Sequence, residues 1–165
     1  MLQHITKTIK GLATEGTEIF ADLSGFQING GTIPADILVS AGKGSRPDIV
    51  IVDRHLRKIA LIELTIPLER NSQKAHNRKE LAYTELQLAL QEKNYQCFLT
   101  PFEVGSSGHI TRNNKYKMEN TLRKFSIRTK KSLFTDLAKI SLLCTMSIFH
   151  AYQVKEWVSP PLLSP

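Results

Sequence analysis

Two branched apolar runs dominate the pattern of polar and hydrophobic positions. Ile49-Val50-Ile51-Val52-Asp53 and Lys58-Ile59-Ala60-Leu61-Ile62-Glu63-Leu64-Thr65 flank the polar stretch Arg54-His55-Leu56-Arg57. Runs of this kind around a short polar turn predict a β-hairpin. Centring the turn between His55 and Leu56 sets Asp53 opposite Lys58 and Asp48 opposite Glu63. Opposed residues on antiparallel strands share a face, with Cβ atoms about 4.5–5.5 Å apart. Two carboxylates would then stand side by side among Ile and Val, where like charges repel and desolvation is costly. A divalent cation is the simplest offset.

The rest of the pattern is read outward from that hairpin. Leu2, Ile5, Ile9 and Leu12 recur at helical spacing, which predicts an amphipathic helix over 2–13. Ile19–Leu23 and Ala35–Val39 are short strand candidates, with glycines and Pro34 between them. Ala41-Gly42-Lys43-Gly44-Ser45 lacks the spacing of a phosphate-binding P-loop. After Thr65, Pro67 ends the strand, and Asn71 or Ser72 can cap a helix running to about Glu92. With Ala75 as origin, Ala82, Leu86, Ala89 and Leu90 fall within about 60° at 100° per residue. Lys79 falls inside that stripe and Tyr83 at its edge. A lysine there either snorkels to water or offers its amine to a site.

Tyr95–Val104 reads as a further strand, bent or at an edge because of Pro101. Strand, helix and strand in succession suggest a parallel crossover. Gly105-Ser106-Ser107-Gly108 is a loop, and Leu133, Leu137, Ile140, Cys144 and Ile148 mark a last helix over about 131–152. The apolar run 140–152 is too short for a bilayer, which needs about 20 residues. Residues 1–158 are therefore expected to form one domain, with Trp157 plugging a core edge and 159–165 a tail.

Composition narrows the partners. The 165 residues carry a net charge of +7, with a pI near 9.5, which favours polyanions and nucleic acid first. Arg112, Lys115, Lys117, Arg123, Lys124, Arg128, Lys130 and Lys131 cluster, with Tyr116 and Phe125 between them. With Arg46, they are the candidate phosphate-backbone contacts. No CxxC pair occurs, which argues against a thiolate zinc site. Cys97 and Cys144 are expected as buried free thiols in a reducing compartment.

Pro47-Asp48, fourteen intervening residues and Glu63 resemble the PD-(D/E)xK nuclease motif. Thr65 stands where that family places its lysine. Ala75, Lys79 and Tyr83, each four apart on the next helix, are similar to the restriction-like endonuclease domain of non-LTR retrotransposons, where the lysine has moved onto the helix. The resemblance covers about residues 46–105. It implies a restriction-endonuclease-like α/β fold, a three-layer αβα core around a mixed central sheet. It implies a metal-dependent endonuclease hydrolysing DNA phosphodiesters, with Asp48, Glu63 and Lys79 catalytic. Asp48, Glu63 and the Leu64 carbonyl would hold Mg²⁺ or Mn²⁺. Glu69, Glu18 and Glu15 are candidates for a further acid. A DNA partner implies an intracellular, nuclear setting, with no membrane partner; the oligomeric state, a dimer included, stays open. Two other readings stand beside this one. The chain could be an inactive nucleic-acid-binding module of the same fold, or a structural domain whose acids pair with arginines such as Arg46.

Overall fold

The computed structural model describes residues 1–13, 15–21, 37, 46–130 and 132–154. Among them the elements are α1 (Leu2–Lys10), β1 (Thr17–Ala21), β2 (Ile49–Asp53), β3 (Lys58–Thr65), α2 (Ser72–Glu92), β4 (Gln96–Glu103), α3 (Arg112–Arg123) and α4 (Ser132–Val154). A single 3₁₀ turn, Glu69–Asn71, leads into α2. The expected strand over 35–39 lies outside the described residues except for Ile37, which is helical and buried. Trp157 and the tail also lie outside them.

The chain is α/β, with a four-stranded mixed sheet in the order β1-β2-β3-β4. The hairpin register is the expected one, from Asp53 opposite Lys58 to Ile49 opposite Ile62. In the turn, Asp53 Oδ1 accepts the Leu56 N–H at 2.9 Å, and Arg57 takes a left-handed φ of 51°. Strand β4 lies parallel to β3, with Thr65 beside Glu103. Pro101 fits because β4 is the last strand of this order, where a missing N–H costs no ladder bond.

Both faces of the sheet are covered, so β2 is apolar at every position from Ile49 to Val52. Val50, Val52, Ile59 and Leu61 pack beneath Tyr83, Leu86 and Leu90 of α2. Ile49, Ile51, Ala60, Ile62 and Phe102 face α1, α3 and α4 through Ile5, Ile9, Met118, Leu122, Leu133 and Leu137. Period-2 alternation along the strands thus divides one sheet between two apolar layers.

Two helices differ from expectation. Helix α2 buries Ala75, His76, Tyr83, Leu86 and Leu90, while Ala82 is exposed and Ala89 only partly covered. The inward stripe is rotated so that Tyr83 and His76 lie inside it, because the large tyrosine ring fills space that alanines cannot. Helix α4 buries Leu133, Phe134, Leu137 and Ser141, but Met146, Ile148, Phe149 and Tyr152 are exposed. Its second half runs past the layer that covers its first. At 23 residues, α4 is longer than the apolar run read from sequence, and by length and composition it is long and apolar enough to cross a membrane.

Candidate active site

The sheet and α2 bring Asp48, Glu63 and Lys79 together. Asp48 immediately precedes β2, and the hairpin ladder ends at Ile49 opposite Ile62. Beyond that pair, side chains take over from backbone. Asp48 Oδ2 accepts the Leu64 N–H at 2.7 Å, and Glu63 Oε2 accepts the Asp48 N–H at 3.2 Å. Each acid therefore clasps the backbone beside the other. Lys79 donates to Glu63 Oε1, so the amine in the apolar stripe of α2 meets a carboxylate rather than snorkelling free. Tyr83, one turn further on, places its hydroxyl 2.8 Å from Glu63 Oε2 and 2.9 Å from the Arg46 carbonyl. Its single proton serves one acceptor at a time, and the charged one is the stronger.

Glu63 is 5% exposed, yet it is surrounded by an ammonium, a phenol and a backbone amide rather than by apolar packing. Lys79 is partly exposed and Asp48 half-buried, so the centre borders solvent on their side. Thr65, two residues after Glu63, has a buried hydroxyl with no partner among the described residues.

The Leu64 carbonyl has its own reason to face this centre. An extended residue directs its N–H and C=O to the same side of the strand, and the Leu64 N–H points at Asp48. Continuing the register sets Pro47 opposite Leu64, and proline has no N–H to give. Two carboxylates and a carbonyl are all-oxygen ligands, which suit Mg²⁺ or Mn²⁺. Among the described residues no group of three or more His, Cys, Asp or Glu could hold a metal ion. A cation here would complete its shell with water.

The candidates for a further acid lie elsewhere. Strand β1 is antiparallel to β2 with Glu18 opposite Val52, four residues and about 13 Å along the strand from Asp48. Glu18 pairs with Arg54 at 2.8 Å, and Glu15 precedes β1 at the same hairpin end. Glu69 binds the β4–α3 loop, accepting the Ser107 N–H at 2.8 Å and the Ser106 and Ser107 hydroxyls. These bonds hold its carboxyl down at about 2. It anchors a loop.

The basic run does not form one patch. Arg46 and Lys115 are exposed, and Lys117 points to α2. Arg123 pairs with Glu119, while Lys124 lies over the Phe98 ring, its carbonyl 3.5 Å from the Lys58 amine at the hairpin end. Lys58 and Glu63 are five residues apart on β3, so Lys124 sits about 16 Å from the level of the acid pair. Arg128 and Lys130 are exposed, and the side chain of Lys131 is outside the described residues.

A second polar cluster, with no motif in the sequence, lies on the same face of the sheet as Glu63. Glu103, 3% exposed on β4, accepts from His76 Nδ1 at 2.8 Å and from the Asn114 amide at 2.8 Å. His76 Nε2 lies 3.1 Å from Glu80 and 3.3 Å from the Lys117 amine. The available signal was parity: on β4, Glu103 shares the α2-facing side with Cys97 and Leu99, and His76 is one turn from Lys79. No protein-family model, curated protein or solved structure gives a significant match to this chain.

Proposed function

We propose that this chain is a metal-dependent endonuclease of the PD-(D/E)xK type, built on a restriction-endonuclease-like core and cutting DNA phosphodiesters with Mg²⁺ or Mn²⁺. The observation that carries the reading is the convergence of Asp48, Glu63 and Lys79 from two neighbouring strands and one helix. Their sequence spacing and their spatial meeting are separate facts, and both agree with that chemistry.

Asp48, Glu63 and the Leu64 carbonyl would hold the cation. When bound, it supplies an acidified water and neutralises charge on the phosphorus. Lys79 gives up part of its contact with Glu63 to face the reacting phosphate, where an ammonium stabilises developing negative charge. Tyr83 fixes the Glu63 carboxylate from the other side, so that Lys79 can move without freeing it. Separate exposed cations, Lys115, Arg128 and Lys130 among them, are available to the nucleic-acid backbone.

One feature favours a second reading, a nucleic-acid-binding module that keeps the fold without hydrolysis. Both Glu63 oxygens already accept from protein groups. Plasmid nicking in Mg²⁺ or Mn²⁺, with Asp48→Asn as control, separates the two. The nuclease reading expects nicking by the wild type and a loss of at least a hundredfold in the variant. Equal activity in both, or none in either with DNA binding retained, refutes it.

A further inference from the structure

Beside the acid pair, an open cleft of about 330 Å³ is bordered by Arg70, His76, Lys117, Glu69, Glu103 and Asn114. Its two acids are turned inward. Glu103 spends one oxygen on His76 and the other on Asn114. Glu69 spends both on Ser106 and Ser107. What remains for a ligand is a set of donors. The Lys117 amine has the imidazole as its partner, and Arg70 makes no ion pair among the described residues. His76 is held by a buried carboxylate at Nδ1, which fixes the ring, and its Nε2 lies 3.1 Å from Glu80 and 3.3 Å from the Lys117 amine. A recess whose lining acids are used internally, and whose cationic groups are the Arg70 guanidinium and the Lys117 ammonium beside an imidazole shared with Glu80, selects an anion.

Its position suggests which anion. Glu63 and Glu103 lie on the same side of adjacent strands, two residues apart in register, or about 8 Å between Cα atoms. His76 and Lys79 are one turn apart on α2, with Cβ atoms about 5–6 Å apart. Successive phosphates of one strand are farther apart than the axial rise of about 3.4 Å because the backbone winds around the axis, so this separation suits neighbouring phosphates. We propose that Arg70, His76 and Lys117 form a phosphate subsite that takes the backbone phosphate next to the one facing Asp48 and Glu63. This rests on the proposed function, in which the partner is a nucleic acid. The shared chemistry is a phosphate group, and a small phosphate ester is the other source.

The test follows the His76 imidazole by NMR while the full chain is titrated with inorganic phosphate, the resonance being assigned by its loss in His76→Gln. In parallel, duplex DNA binding is measured over a salt series. The expected result is a saturable shift of the His76 resonance, weakened at least tenfold in an Arg70→Gln/Lys117→Gln double variant. Both replaced side chains reach solvent, so the variant should fold, and circular dichroism checks this. The slope of log K against log salt should fall in magnitude by about 1–2 in the same variant, roughly 0.9 for each phosphate no longer neutralised.

A His76 resonance that phosphate does not move overturns the subsite, as does an unchanged slope in the double variant, and either can occur while nicking persists. A saturable shift without DNA binding overturns the nucleic-acid source and supports a small phosphate ester. Absent nicking with both expected effects present overturns hydrolysis and upholds the subsite.

Discussion

Replacing Lys79 by methionine tests the acid pair through stability and chemistry together. Methionine keeps an unbranched stem against α2 and removes only the ammonium. Breaking one side of a fully buried ion pair costs about 3–5 kcal/mol, because a charge is left uncompensated. Here the Lys79 side chain is 24% exposed and Glu63 retains the Tyr83 hydroxyl and the Asp48 N–H. Both facts reduce the penalty, to about 2 kcal/mol. For a chain of this size that is a fall of about 4–8 °C in Tm. The informative step is to repeat the melt in Mg²⁺. If the acids hold a cation, the metal supplies the missing positive charge, and the deficit of Lys79→Met against wild type shrinks. Nicking should still fall by about 10²–10³, since the cation does not replace an amine aimed at the phosphate. A deficit identical with and without Mg²⁺ refutes the reasoning, because it marks Lys79 as a structural partner of Glu63 alone. A variant melting with the wild type would show that the pair contributes nothing.

Three further outcomes follow from the same structure. Glu69 has a folded carboxyl near 2 against an ordinary value of 4.5, so its contribution is present above about 4.5 and is lost as pH falls toward 2. The Tm gap between wild type and Glu69→Gln should therefore close between those values, and a constant gap contradicts the loop anchor. Gly108 has a φ of +84°, and a Cβ there would stand 2.5 Å from the Ala138 carbonyl oxygen. Gly108→Ala should lower unfolding free energy by about 1–3 kcal/mol in urea, because the clash is with backbone as well as with φ. Burial pushes the Cys97 thiol up to about 12, so it should resist alkylation at pH 8 until the chain is unfolded, whereas the half-buried Cys144 reacts in the native state. Mass spectrometry of the labelled peptides decides.

The elements that were legible are those whose side chains repeat with one period. The hairpin register follows from two branched runs and an even turn, and α2 starts at the expected Asn71–Ser72 step and ends at Glu92, although Asn71 makes no side-chain cap bond. Where a single large side chain outweighs the pattern, the reading slipped. Tyr83 counts as an edge position by angle, but its ring reaches the core and its hydroxyl reaches Glu63, so the helix turns to seat it. Ala82 then faces outward although its residue type belongs inside. Cys144 was expected buried for the same reason and is only partly so, because α4 outruns the layer beneath it.

The acids show the limit from the other direction. Sequence spacing alone set Asp48 and Glu63 on one face, and it could not say what their oxygens would touch. Glu69, Glu18 and Glu15 were equal candidates for a third acid because a carboxylate's partners depend on loops that have no period. The β4–α3 loop claims Glu69, and Arg54 claims Glu18. Glu103 ends a strand that reads as buried, yet it is the acid that orients His76. Buried acids must find donors. On a helix-covered sheet, each acid at the covered end therefore points to a donor on the covering helix: Glu63 to Lys79, and Glu103 to His76, three residues earlier on the same α2.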